Sequence, residues 1–244
     1  EDAEKAVRRA FGKWKDTANS ALQSVGDAAE QKSRVILIDH PGAASSRIIA
    51  GHAIGAYDAE TWTELSVMNT VIGGSFESRL NMNLRESKGW SYGYRSGIDR
   101  NPSGAMTFAT GGQVQTDKTA ESMQEILAEL TAYTGDRPAT TNEVERIKLN
   151  RTRSLPGSFS TNSGFLRAIM ASDAYGLPYD YAESAAERIA GVSAEGVVAR
   201  AKSVIDTNQL TWVVVGDLEK IEEAVRALDY GDVEVWDAFG EKLR

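Results

Sequence analysis

Arg85 and Tyr92 stand seven positions apart and are the pair in this chain best placed to do chemistry. The spacing puts Arg85 near the end of a helix predicted over 75–88, where Phe76, Leu80 and Leu84 recur at steps of four, and Tyr92 in a strand predicted over 90–97. Gly89, directly after Lys88, is the residue type that a left-handed helix cap favours. A helix end and the strand that follows can therefore present a guanidinium and a phenol to one spot. Both groups donate hydrogen bonds and neither is a base at neutral pH. The pair can grip a peptide carbonyl or a carboxylate but cannot hydrolyse anything unaided. The same spacing also suits a surface arginine and a core tyrosine at a helix–strand corner.

Other chemistries are excluded or weak. The absence of cysteine removes disulfide scaffolds, thiolate metal sites and cysteine nucleophiles. The two histidines, His40 beside a Pro41-Gly42 turn and His52 in a strand pattern, lack partners at ligand spacing and read as structural, so no metal site is expected in this chain. G-x-S-x-G, P-loop and G-x-G-x-x-G patterns are missing, against serine hydrolases, P-loop NTPases and Rossmann enzymes. Asp217, after the apolar run 213–215, reads as a turn into a helix. The basic residues Arg146, Lys148, Arg151 and Arg153 share a helix with Glu143 and Glu145 and read as a solvated, ion-paired surface. Asn150-Arg151-Thr152 matches a glycosylation sequon but falls inside that predicted helix. Trp14, Trp62, Trp90, Trp212 and Trp236 sit in amphipathic or strand contexts and read as core or interface.

The elements that must position Arg85 and Tyr92 come from periodicity. A formal charge of −8 over 244 residues disfavours a nucleic-acid partner, and no apolar run is long enough for a transmembrane segment. Two strands open at 34–39 and 47–54, a helix follows over 61–72, and 90–97 and 104–115 alternate as an antiparallel pair around Asn101-Pro102-Ser103-Gly104. A helix over 118–133 and one begun by the capping box Thr140-x-x-Glu143 lead into further helices up to 205. A strand at 210–215, a helix over 218–228 and a strand at 233–236 complete the chain. Strands clustered early and helices clustered later predict an α+β fold, an antiparallel sheet covered by helices.

Residues 1–15 also read as a helix, with Val7, Phe11 and Trp14 recurring at steps of three and four, and 16–33 as a polar linker. Ala6-Val7-Arg8 and Phe11-Gly12 echo Ala224-Val225-Arg226 and Tyr230-Gly231, but only the second copy follows a strand. The chain opens with Glu1 and not with Met, as expected where a leader was removed or where the chain is a piece of something larger. The expected division is 1–32 as the trailing helix of a preceding similar domain plus linker, 33–239 as the main domain and 240–244 as a tail.

The segment Gly73–Gly93 resembles the pitrilysin/insulinase family of zinc peptidases. Its Gly73, Gly74, Phe76, Ser78, Arg79, Leu80, Leu84, Arg85, Gly89, Tyr92 and Gly93 match a stretch that family members carry in the half opposite the zinc site. Asp39-His-Pro-Gly-Ala-Ala44, Leu155-Pro156, Tyr175-Gly-Leu-Pro178 and the 213–217 strand and turn extend the likeness, although Ser45 stands where relatives often carry Gln. The resemblance implies an insulinase-like fold and a clamshell of two halves. This chain would be the last domain of the half without zinc, inactive alone, with Tyr92 donating to the scissile carbonyl or its oxyanion and Arg85 holding substrate or orienting Tyr92. The implied partners are a zinc-bearing half, fused upstream or separate, and a peptide substrate, with a homodimer as another assembly; zinc is expected in the partner half and no cofactor here. A catalytically inactive structural or peptide-binding subunit of the same fold is the alternative. The chain is expected to be soluble and bacterial, with periplasm and cytoplasm both open.

Overall fold

The alternation of apolar residues sets the sheet. In Ser45–Ala56 (β2), Ser46, Ile48, Ala50 and Ile54 are buried while Arg47, Ile49 and Ala53 are exposed. In Ala105–Gln115 (β4), Met106, Phe108, Thr110 and Val114 are buried between exposed Thr107 and Gln113. A period of two with one packed and one open face is the mark of a half-buried strand. Arg34–Asp39 (β1) differs, because Val35, Ile36 and Leu37 are all buried, as in strands covered on both sides. With Ser91–Asp99 (β3), Thr211–Gly216 (β5) and Asp232–Trp236 (β6) they form a six-stranded sheet in the order β3-β4-β2-β5-β1-β6. The structure, a computed structural model, describes residues 2–15, 31–102 and 104–244.

The helices are Asp2–Phe11 (α1), Trp62–Asn69 (α2), Arg79–Asn81 (α3), Thr119–Thr134 (α4), Thr141–Ser158 (α5), Asn162–Ala174 (α6), Ala185–Ala190 (α7), Ala194–Val204 (α8) and Leu218–Arg226 (α9). α2 and α3 each run on into a π-helical turn, Thr70–Gly74 and Met82–Ser87. Leu65, Met68, Met123, Ile126 and Leu130 pack with Ile48, Phe108, Trp212 and Val214 in one core. The predicted α+β fold therefore holds. Within it the sheet is mixed: β3, β4, β2 and β5 pair antiparallel, whereas β1 lies parallel to both β5 and β6. Connectivity explains the difference, since α9 separates β5 from β6 and strands running the same way need such a crossover.

Local signals from the sequence place several boundaries. The Thr140 capping box forms, with Thr140 Oγ1 accepting from the Glu143 N–H at 3.3 Å and the Glu143 carboxylate accepting from the Thr140 N–H at 2.8 Å. The helix predicted from residue 75 starts only at Arg79. Ser75 is extended, and the Ser78 hydroxyl donates to the Ser75 carbonyl at 2.6 Å, a local bond that competes with helix formation. Phe76, expected on the buried face with Leu80 and Leu84, is consequently half exposed.

The basic run on α5 also departs from expectation. Arg151 is not solvated: its Nη2 donates to the Ser66 carbonyl at 2.8 Å and to Thr70 Oγ1 at 2.7 Å, fastening α5 to the end of α2. Arg146 pairs with Glu77 and Lys148 with Glu145, as a paired surface would. In α1 none of the described residues is buried, and Val7 is 57% exposed where its echo Val225 is 1%. Most of the expected linker, 16–30, lies outside the described residues, as does Ser103 of the β3–β4 turn. The expected tail folds back, with Lys242 bridging Trp236 and Arg244 paired to Glu222.

Candidate functional site

The turn from the Met82–Ser87 helix into β3 is built from backbone bonds. Lys88 N–H donates to Asn83 O at 2.9 Å, Gly89 N–H to Arg85 O at 3.2 Å and Trp90 N–H to Leu84 O at 3.0 Å. Gly89 adopts φ +68°, the left-handed conformation a cap glycine serves. Leu80 and Leu84 are fully buried beneath, and truncating either to Ala would cost about 2–5 kcal/mol, so the helix carrying Arg85 has a fixed seat.

Strand β3 begins with a bulge. Ser91 pairs with Val114 and Gly93 with Gln113, leaving Tyr92 opposite no residue of β4. Ser91 Oγ donates to the Gln113 carbonyl at 2.6 Å and accepts the Gly93 N–H at 3.1 Å, which holds the extra residue in place. A bulge re-aims a side chain out of the pleat. Tyr92 is 90% exposed, and among the described residues its hydroxyl has no hydrogen-bond partner.

The structure brings the two sequence-predicted site residues together. The Arg85 guanidinium lies over both rings, 5.1 Å from the centroid of Tyr92 and 4.6 Å from that of Phe76. Arg85 Nε meets Glu86 Oε1 at 3.1 Å. Each such cation–ring contact at a partly exposed site contributes about 0.5–1 kcal/mol, enough to bias one orientation of a long flexible side chain. The Arg95 guanidinium also stands over Phe76, 5.7 Å from its centroid, with Nη1 buried and without a hydrogen-bond partner.

Two amides, one of them buried, and one ion pair support this arrangement. Asn81, fully buried, donates from Nδ2 to the Phe76 carbonyl at 2.7 Å and accepts the Tyr94 N–H on Oδ1 at 3.1 Å. Ser96 Oγ donates to Asn69 Oδ1 at 2.7 Å, and a Cβ on Gly73 would run into Ser96, so only glycine lets this turn approach β3 so closely. Arg79 forms a two-pronged pair with Glu143, at 2.9 and 2.8 Å, and also donates to the carbonyls of Arg137 and Pro138. Burial pushes the Glu143 carboxyl up, but the bonds from Arg79 and Thr140 outweigh it and hold the group below its ordinary range.

Arg79 thus has a structural task that its place in the matched segment did not reveal. Asn81 and Arg95 were not singled out from the sequence. A polar residue between buried Leu80 and Leu84 was the available signal for Asn81; Arg95, one basic residue in a short strand, offered none. His52 accepts the Asp206 N–H on Nε2 at 3.3 Å and faces the Ala53 carbonyl from Nδ1 at 3.0 Å, a structural engagement. Asp217 stands at the N-cap of α9 and pairs with Lys220 at 2.7 Å. A cavity of about 720 Å³ is lined by His52, Lys202 and Asp206, among others, and includes neither Arg85 nor Tyr92. Its Ser203 hydroxyl donates to the Arg200 carbonyl, His52 accepts the Asp206 N–H and the Asp206 carboxylate is held by Asn208 and Gln209, so the exposed Arg85–Tyr92 surface remains the stronger candidate for chemistry.

Comparison with known proteins places this geometry in context. Residues 1–151 match the family model described as the peptidase M16 inactive domain. The uncharacterized zinc protease YmxG of Bacillus subtilis (strain 168) is 38% identical over 109 residues, 43% of this chain and 25% of that protein. In fold, the chain is similar to the peptidase M16 inactive domain from Pseudomonas fluorescens, with TM-score 0.70 and 21% identity over 78% of this chain and 45% of that one. A protease from Helicobacter pylori gives TM-score 0.74 and 16% identity over 88% and 52%. The chain therefore spans about half the length of these solved structures and a quarter of the curated relative.

Proposed function

Because this chain belongs to the peptidase M16 inactive-domain family, we propose that it serves as the non-zinc half of a zinc metallopeptidase, binding a peptide and presenting Arg85 and Tyr92 to the active site of the zinc-bearing half. Residues 33–239 would form the insulinase-like domain and α1 would belong to an adjoining similar domain. The observation that carries the reading is the contact of the Arg85 guanidinium with the rings of both Phe76 and Tyr92 while the Tyr92 ring stays 90% exposed.

A phenol with no internal partner can donate a hydrogen bond to an incoming acceptor, and a guanidinium packed over two rings has its planar fork of donors biased to one orientation. In the proposed complex Tyr92 donates to the scissile carbonyl oxygen as charge develops on it, and Arg85 grips the substrate backbone and fixes the Tyr92 ring. Neither group takes a proton from water, so the base must come from elsewhere. Among the described residues no group of three or more His, Cys, Asp or Glu could hold a metal. The described residues therefore offer no zinc site to this reading, in which the zinc belongs to the partner half and no step runs through a metal here.

The test uses the chain assembled with its zinc-bearing half. Tyr92→Phe keeps the ring beside Arg85 and removes the hydroxyl. Loss of one such donor costs about 10²–10³ in kcat, so turnover should fall by roughly a hundredfold with thermal stability nearly unchanged. Arg85→Lys keeps the charge but loses the planar fork, and should act chiefly on KM. Unchanged turnover in both variants would assign the chain to the scaffold class.

A further inference from the structure

The face of the sheet that turns away from the core carries an unexplained arrangement. Strand register sets Arg47, Gln113 and Gly93 side by side, then Ile49, Gly111 and Arg95, then Gly51, Ala109 and Gly97. These residues alternate with buried Ile48, Ala50, Thr110 and Ser96, so they share the opposite face, where Ile49 is 38% exposed. Glycine and alanine leave the backbone of the last row almost bare, and another extended chain can lie close to it.

Charge on this face opposes that of the molecule. The chain carries −8 overall, yet Asp99 is the one acid in β2, β3 and β4. Asp99 is four residues along β3 from Arg95, a separation of about 13 Å. Among the described residues neither Arg47 nor Arg95 makes an ion pair. Arg47 Nη2 reaches over bare Gly111, 3.5 Å from where a Cβ would stand, and Arg95 Nη1 is buried without a hydrogen-bond partner. A guanidinium nitrogen withdrawn from water and left unpaired is costly unless a ligand satisfies it. From Arg95 the path continues around the edge strand: Phe76 lies 5.7 Å from Arg95 and 4.6 Å from Arg85, and Arg85 lies 5.1 Å from Tyr92.

We propose that this open face binds an extended peptide segment bearing Asp or Glu side chains, whose carboxylates meet Arg95 and Arg47 while its neighbouring residues reach Arg85 and Tyr92. The proposal rests on the peptide-binding reading above and names the class of peptide. Carboxylates are favoured over nucleic-acid phosphates because an acidic molecule with two arginines outside any ion pair on this face lacks the dense cation cluster that polyphosphate binding needs. Guanidinium forks match a carboxylate in shape and charge.

The experiment is fluorescence anisotropy of the full chain with labelled short peptides that alternate Ala with Glu, with Gln or with Lys. The Glu peptide should bind about tenfold more tightly than the Gln peptide, with the difference shrinking between about 0.05 M and about 0.3 M salt, and the Lys peptide should bind weakest. Arg47→Gln with Arg95→Gln should bring the Glu peptide to the level of the Gln peptide, while Arg167→Gln on α6 should change nothing. If the double variant unfolds on heating at a much lower temperature, exposed Arg47→Gln alone should remove part of the preference. Equal binding of Glu and Gln peptides, a preference for Lys, no effect of the arginine variants, or equal competition by a short oligonucleotide would overturn the proposal. The assay needs no zinc half. Failure here leaves the turnover test of Tyr92→Phe standing, and a failed turnover test leaves the Glu preference standing.

Discussion

Asn81 Oδ1 accepts the Tyr94 N–H at 3.1 Å while the same side chain's Nδ2 donates to the Phe76 carbonyl at 2.7 Å. One buried amide thereby joins three backbones: the loop that carries Phe76, the strand that carries Tyr92 two residues earlier, and the helix that carries Arg85 four residues later. The side chain must have this orientation, since a flipped amide would set its NH2 against the Tyr94 N–H and its oxygen against the Phe76 carbonyl.

Asn81→Asp keeps the shape but leaves a carboxylate that cannot donate to the Phe76 carbonyl, and burial would raise its pKa. In the assembled enzyme, turnover above pH 7 should fall at least about tenfold and recover as the pH drops and the acid regains a donor. Asn81→Ala should show no recovery. Combined with Tyr92→Phe, Asn81→Asp should cost little more than Tyr92→Phe alone, because both act through the same group. Additive losses would make Asn81 a purely structural residue.

Phe76→Leu removes one of the two rings over which Arg85 lies. The half-exposed ring contributes little to the core, so a thermal melt should shift by only a few degrees, on the order of a 1 kcal/mol change. Steady-state kinetics should show KM rising several-fold with kcat nearly preserved, as expected for a loosened substrate grip. A fall confined to kcat would contradict the role given to Arg85.

Glu143 sets an acid limit. Its carboxyl is held below the ordinary carboxylate range, where the bonds from Arg79 and Thr140 outweigh burial. A depressed folded-state pKa contributes stability above the unfolded value, near pH 4.3, that is lost as the pH falls through the folded one. The urea midpoint should decline between about pH 5 and pH 3, and Glu143→Gln should flatten that decline while lowering the midpoint at pH 7. Equal slopes in both proteins would remove Glu143 from the acid response.

Gly89→Ala forces a Cβ into φ +68° although no neighbour lies within 4 Å of it. The cost is therefore conformational, about 1–2 kcal/mol, measurable by denaturant titration. Because the turn sets the path from Arg85 to Tyr92, turnover should fall with it.

Sequence periodicity located the strands, the helix order, the Gly89 cap and the Thr140 capping box, because each depends on neighbours within a turn or a pleat. It also set Arg85 and Tyr92 within reach of each other. It misjudged Phe76, whose burial depended on a helix start that the Ser75–Ser78 bond delays, and Arg151, whose partners Ser66 and Thr70 lie more than eighty residues away. The parallel pairing of β1 was equally hidden, since its partners are set by long-range closure. The bulge at Tyr92 left no mark in composition, for any residue can stand unpaired in a strand.

The place of β1 in the sheet governs how the chain can be made. Val35, Ile36 and Leu37 pair only with β5 and β6, which begin at Thr211 and Asp232. At ribosomal rates of about 5–20 residues per second, roughly ten to thirty seconds pass between synthesis of this apolar strand and that of its first neighbour. During that interval its backbone edges are open to any other nascent strand. Shortening the chain before residue 211 would leave that apolar segment permanently without a strand neighbour and open to pairing with other chains.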